Sequence, residues 1–138
     1  MRITIIIPFY NEVKRLNYEG FIEIFSEFQH YNFLLVDDGS SDRTGEILEE
    51  FKSKFSNIEV LRLTKNVGKA EAIRSAVLFT SNCDFICYYD ADLATPMLEL
   101  DKLIQFSIHH PNYKFIMGAR IKLIGNGVQR SLTRHYFG

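Results

Sequence analysis

The sequence has no apolar run long enough to cross a bilayer as a helix, which takes about 20 residues. Its opening stretch, ITIIIPFY, is also too short for the core of a secretory leader and runs into Asn11 and Glu12. These absences set the expectation of a cytoplasmic protein, with contact to the cytoplasmic membrane face left to sequence outside this chain. Cysteine is scarce. Cys83 and Cys87 form no C-x-x-C and have no histidine cluster beside them, so they read as reduced core residues rather than a redox or metal pair. An excess of either charge is also lacking: 16 Lys+Arg face 17 Asp+Glu, a formal net charge of −1, so nothing global recruits nucleic acid or an anionic membrane. Any anion site must be local. PFYNEV has no glycine where a dinucleotide fingerprint would follow the first strand. Gly68 and Lys69 are followed by Ala70, where a phosphate-cradling P-loop needs Ser or Thr. Internal repeats, low-complexity segments and linkers are not found.

What is present fits one globular domain: 138 residues, 46% hydrophobic and 24% charged. Residues 3–7 are continuously apolar and β-branched up to Pro8, the pattern of a strand buried on both faces. Phe21, Ile24, Phe25 and Phe28 then fall on one helical face. NFLLVDDGSSD reads as a strand ending in a turn, with Asp42 placed to cap a helix whose inner face is Ile47, Leu48, Phe51 and Phe55. IEVLRL supplies a third strand, and Ala72, Ile73, Ala76 and Val77 are the expected inner face of the next helix. DFICYYD is the fourth strand. Pro96 opens a helix with Leu100, Leu103, Ile104 and Ile108 inward, and KFIMGAR is the expected fifth strand. Strict alternation predicts an α/β fold, a mostly parallel sheet with helices on both faces. Ligands of such sheets bind outside the carboxyl ends of the strands. The loops PFYNE, DDGSSD, TKNVGK, DADLATP and GAR should therefore open on one crevice.

Those loops carry the chemistry. Asp90 and Asp92 are i, i+2, so on an extended backbone both point to one side with Cα atoms about 7 Å apart. One divalent cation can answer both; carboxylates suit Mg²⁺ or Mn²⁺, which leaves coordination positions for phosphate oxygens. Capping of the helix at Pro96 is the competing explanation. Asp37 and Asp38 must face opposite ways on a strand, so one can hold the loop while the other accepts bonds from a base or ribose. Glu12 can do the same for ribose hydroxyls and Tyr10 can lie against a base, or both are plain surface residues. Arg120, Arg130 and Arg134 are candidate phosphate forks. His30, His109, His110 and His135 have no carboxylate partners at metal spacing, and structural roles are expected.

In that order, IIIPFYNE, LLVDDGSSDRT, KNVGKAEAIRSAV, YYDADLATP and MGAR resemble the nucleotide-sugar-binding half of a family 2 glycosyltransferase with the GT-A fold. The DADLATP wording and the arginine-containing tail resemble the branch that makes dolichyl- or polyprenyl-phosphate sugars, including dolichyl-phosphate β-glucosyltransferases. The resemblance implies a nucleotide-diphosphate sugar donor, UDP- or GDP-linked, bordered by Pro8, Tyr10, Glu12, Asp38, Asp90 and Ala91. It implies Asp90 and Asp92 as the metal pair for Mg²⁺ or Mn²⁺, with Asp92 the direct ligand, and Arg120 and Arg130 facing donor or acceptor phosphates. A polyprenyl-phosphate acceptor is already an anion, so charge management by metal and arginines would carry much of the catalysis.

Two residues depart from the family pattern: Ala70 replaces the usual second glycine of the GKG-type loop, and Leu93 stands where mannose synthases commonly carry a polar residue. Family members also run longer. Residues 1–138 are therefore expected to be the donor-binding part of a single GT-A domain without its acceptor part, and turnover by this chain alone is not expected. Two alternatives are a nucleotide-sugar-binding fragment without transfer and a haloacid-dehalogenase-type phosphatase, whose pattern wants Thr or Val where Ala94 stands.

Overall fold

A computed structural model describes residues 1–81 and 83–118. The chain divides into two compact units, Met1–Leu100 and Asp101–Gly138. In the first, β1 (Ile3–Phe9), α1 (Tyr18–Glu27), β2 (Asn32–Asp37), α2 (Thr44–Lys54), β3 (Ile58–Arg62), α3 (Lys69–Phe79) and β4 (Phe85–Tyr88) alternate; α4 (Met97–His109) begins in it and continues into the second. The four strands form one sheet in the order β3-β2-β1-β4. Every pairing is parallel. The chain steps outward from β1 to β2 to β3, then returns to the other side of β1. That reversal makes the carboxyl ends of β1 and β4 the switch point where such sheets open a crevice.

Side-chain alternation divides the core into two layers. Phe9 and Phe33 point to the face covered by α1 and α2, where ring centroids lie 5.5 Å apart for Phe9–Phe21 and 4.9 Å for Phe25–Phe33. Ile6, Leu34 and Val36 point to the other face and cluster with Ala72 and Ala76 of α3. Small side chains on α3 bring it close to the sheet. The expected α/β architecture with helices on both faces is what the structure has. Val77 is a correction: with Leu78 and Phe79 it lies exposed on α3, where Ala72 and Ala76 carry the buried stripe and Ile73 is half-buried.

Pro8 does not end the first strand as expected. It pairs with Val36 inside β1, which runs on to Phe9. The reason is directional: residues 6 and 8 turn their backbone polar groups toward β4, as the Tyr89 N–H bonded to the Ile6 carbonyl at 3.0 Å shows. The β1–β4 ladder stops at Ile6 and Tyr88, so the N–H that Pro8 lacks has no partner to miss.

In the second unit, the His109 and His110 Nδ1 atoms lie 2.7 and 2.9 Å from the carbonyls of Gln105 and Phe106, and the His110 ring stacks on Phe106. These are the expected structural roles. The fifth strand is not formed over 114–118: these residues join no ladder, and Phe115 and Met117 are exposed. A strand exists only through its pairing, and an apolar pattern without a partner edge does not make one. Ala119 and Arg120, the remainder of that prediction, lie outside the described residues.

Candidate functional site

The loops at the carboxyl ends of the strands are chained to one another by side chains. Asn11, in the left-handed region at φ 50°, stands just past β1. Its Oδ1 accepts from the N–H groups of Ser41 (2.9 Å) and Asp42 (3.3 Å), while its own N–H donates to Ser40 Oγ at 3.0 Å. Asparagine tolerates this backbone because its short polar side chain bonds locally. The Glu12 and Val13 N–H groups donate to Thr44 Oγ1 at 2.9 Å and Asp42 Oδ2 at 3.3 Å. The first loop is thus clasped to the second. Asp42 also accepts from the Thr44 N–H and hydroxyl at the start of α2; the N-cap position itself falls on Arg43, so Asp42 braces the turn leading into the helix rather than capping it as expected. Burial would raise the Asp42 carboxyl, but the bonds from Thr44 and Val13 outweigh it and hold the group below its ordinary value.

Both members of the Asp37–Asp38 pair are buried, at 1% and 3% exposure. They face opposite ways, as alternation requires. Asp37 holds its own turn, accepting from the Ser40 N–H at 2.9 Å, and pairs with Arg62 Nε of β3 at 3.2 Å. Asp38 faces the α3 side, where its two oxygens accept from the N–H groups of Val67 (2.8 Å) and Gly68 (3.0 Å). Sequence reasoning reserved one acid for the loop; in the structure both brace loops. Asp38 fixes the entry to α3 at Gly68, whose φ of 89° suits glycine alone.

From that fixed entry Lys69 reaches the fourth loop. Its ammonium and the Tyr88 hydroxyl both donate to Asp90 Oδ1. Burial alone would lower the Lys69 ammonium; its bonds with Asp90 and Tyr88 raise it instead. The Tyr89 phenol, buried and donating to the Thr95 carbonyl, is pushed up by burial and then by the charges of Asp92 and Asp90. Asp92 is exposed and its Oδ1 accepts from the Ala94 N–H at 3.0 Å. The extended geometry expected through Asp92 is corrected: β4 ends at Tyr88, and Ala91 and Asp92 form a turn closed by Leu93 at φ 52°. The bond that Asp92 makes closes its own turn at Ala94, ahead of α4, which begins at Met97, and it occupies one of the two carboxylate oxygens.

Of the other expected donor residues, Pro8 is half-buried at the crevice end of β1 and Tyr10 is exposed beside it. Glu12 is held by its neighbour Arg15, which donates from Nη2 at 2.8 Å and Nε at 3.1 Å. Arg120, Arg130 and Arg134 lie outside the described residues. Cys83 and Cys87 are free thiols. Burial, with a smaller contribution from Cys83, pushes Cys87 up to about 11, so it is protonated at neutral pH and a poor nucleophile. Among the described residues, no group of three or more His, Cys, Asp or Glu could hold a metal ion. Two carboxylates fit a hard cation that takes its remaining ligands from phosphate and water, and do not fit a closed protein cage. Sequence reasoning missed Lys69, Tyr88 and the Asn11 clasp. Period-two alternation, which sets Tyr88 and Asp90 on one side, was the available signal for Tyr88.

A parallel sheet with its polar loops gathered at the β1/β4 switch point is the architecture of nucleotide-diphospho-sugar transferases of the GT-A type, and solved structures of that type match it. A mannosyltransferase from Pyrobaculum calidifontis, solved in complex with GDP-Man and Mn²⁺, superposes with a TM-score of 0.56 at 22% identity, over 69% of this chain and 33% of that one. The chain belongs to glycosyl transferase family 2, whose profile matches residues 4–137. Among curated relatives, a dolichol-phosphate mannosyltransferase of Pyrococcus furiosus is 37% identical over 107 residues, covering 76% of this chain and 30% of the relative. A dolichyl-phosphate β-glucosyltransferase of Mus musculus is 32% identical over 112 residues, covering 74% of this chain and 34% of the relative. The chain thus spans about a third of either protein. Among the described residues, no helix is long and apolar enough to cross a membrane.

Proposed function

We propose that this chain is the donor-binding part of a GT-A domain that transfers a sugar from a UDP- or GDP-linked donor, with a polyprenyl phosphate as acceptor. The observation that carries the reading is the linkage of four strand-end loops: Asn11 ties the first to the second, Asp38 the second to the third, and Lys69 the third to Asp90. A nucleotide diphosphate needs several loops held at fixed spacing, and this bracing supplies it before any ligand arrives. Tyr10 offers a ring for the base. Asp38 keeps a second lone pair on each oxygen for base or ribose donors, and Glu12, Pro8 and Ala91 border the same crevice.

Asp90 and Asp92 would hold Mg²⁺ or Mn²⁺, whose chemistry there is to neutralise the charge that develops on the leaving diphosphate. Arg120 and Arg130 would add guanidinium forks for phosphate oxygens. An anionic lipid phosphate needs little help from a general base, so the chain's task is to bind, orient and balance charge. A lipid acceptor also implies work at a cytoplasmic membrane face.

Calorimetric titration of UDP- and GDP-sugars with and without Mn²⁺ tests the reading. Binding should require Mn²⁺, and Asp92→Ala should weaken it roughly ten-fold, because a site with so few protein ligands loses much of its hold with either one. Metal-independent binding that ignores the substitution would remove Asp92 from the site. Donor binding without sugar transfer to a polyprenyl phosphate would favour the second reading, a nucleotide-sugar-binding unit that does not turn over by itself.

A further inference from the structure

Two donors converge on one carboxylate oxygen just past the end of β4. Lys69 Nζ and the Tyr88 hydroxyl both donate to Asp90 Oδ1, and the ammonium also lies 5.2 Å from the centroid of the Tyr88 ring. We propose that Lys69 is a positioning residue that holds Asp90 while no divalent cation is bound and exchanges places with that cation when the donor arrives. The proposal rests on the reading of Asp90 and Asp92 as the cation pair and goes beyond it by coupling cation and donor through a lysine.

The backbone that carries Lys69 is fixed, because Asp38 holds Gly68 immediately before it. Its long side chain is free to swing: the Lys69 and Asp90 side chains are 58% and 48% exposed, so the exchange takes place in contact with water and disturbs no packing. An ammonium and a divalent cation repel each other at contact distance, so Lys69 would be driven off Oδ1 when Asp90 holds the cation. The Tyr88 ring then retains the displaced ammonium through its face. Lys69 is left beside the loop where diphosphate oxygens accept its hydrogen bonds. The same lysine therefore opposes the bare cation and favours the cation together with the diphosphate.

That pair of opposite effects is the test, because a structural lysine would not produce it. Mn²⁺ binding, followed by electron paramagnetic resonance of the free ion, is measured on the wild-type chain, Lys69→Met, Lys69→Arg and Asp92→Ala. With nucleotide absent, Lys69→Met should bind Mn²⁺ about five-fold more tightly, the size of effect expected from removing an exposed ion pair. With Mn²⁺ saturating, the same variant should bind UDP or GDP about five-fold more weakly, and Lys69→Arg should restore both affinities toward wild type. Unchanged or weakened Mn²⁺ binding in Lys69→Met, alongside loss of binding in Asp92→Ala, would overturn the exchange and leave the donor reading standing. Failure of every form to bind Mn²⁺ would overturn both.

Discussion

Phe25→Ala is expected to cost about 3–5 kcal/mol of folding stability, the range for a buried phenylalanine replaced by alanine. Phe25 is fully buried on α1. Its ring centroid lies 4.9 Å from Phe33 on β2, 5.3 Å from Phe51 on α2, and 5.6 Å from both Phe21 and Phe55. It is the shared contact of two helices and the sheet. None of those rings can collapse into the space without leaving the others, so the cavity persists and the loss exceeds the transfer energy alone. Against typical stabilities of about 5–15 kcal/mol, the variant should show a large fall in its urea midpoint with an unchanged m-value. Phe79→Ala, at an exposed ring on α3, is the control and should move stability by no more than about 0.5 kcal/mol. Similar midpoints for the two variants would contradict the core described above.

The second large effect is at Gly39, where the fold meets the site. Its φ is 66°, and a Cβ there would lie 2.3 Å from the Lys65 carbonyl carbon and 2.5 Å from the Asn66 nitrogen. Both are backbone atoms, so no side chain can swing aside to relieve the clash. Gly39→Ala should cost about 1–2 kcal/mol for the left-handed backbone and about 1–3 kcal/mol for forcing the loops after β2 and β3 apart. Donor binding should fall with it, because the displaced loop leads to Val67 and Gly68, the partners of Asp38. Gly68→Ala separates the two contributions: φ is 89°, but no atom lies within 4 Å of a Cβ. That variant should carry backbone strain alone. Equal urea midpoints for the two alanines would deny the close approach at Gly39.

Much of this architecture could be read from residue order because the signals were local. The β-branched run of residues 3–7 marked a buried parallel strand, and the period-two rule set Asp37 and Asp38 on opposite faces, as they are. Where the reading failed, a neighbour decided the outcome. Pro8 stays inside β1 because the ladder it would interrupt has already ended. KFIM forms no strand over 114–118, since an apolar pattern needs a partner edge. Asp92 lies on a turn because its own carboxylate accepts the Ala94 N–H and Leu93 adopts a positive φ. The Lys69–Asp90 contact spans 21 residues and depends on where α3 starts relative to β4, which no spacing rule contains.

On the proposed reading, the turn carrying Asp90 and Asp92 holds a divalent cation against a donor diphosphate. Anomalous diffraction at the manganese edge, from crystals grown with Mn²⁺ and UDP or GDP, locates that cation. The expected result is a Mn²⁺ peak bonded to an Asp92 or Asp90 carboxylate oxygen and to diphosphate oxygens, with Lys69 moved off Asp90. A nucleotide bound at these loops with no Mn²⁺ on either carboxylate, or Mn²⁺ bound only elsewhere on the chain, would contradict it.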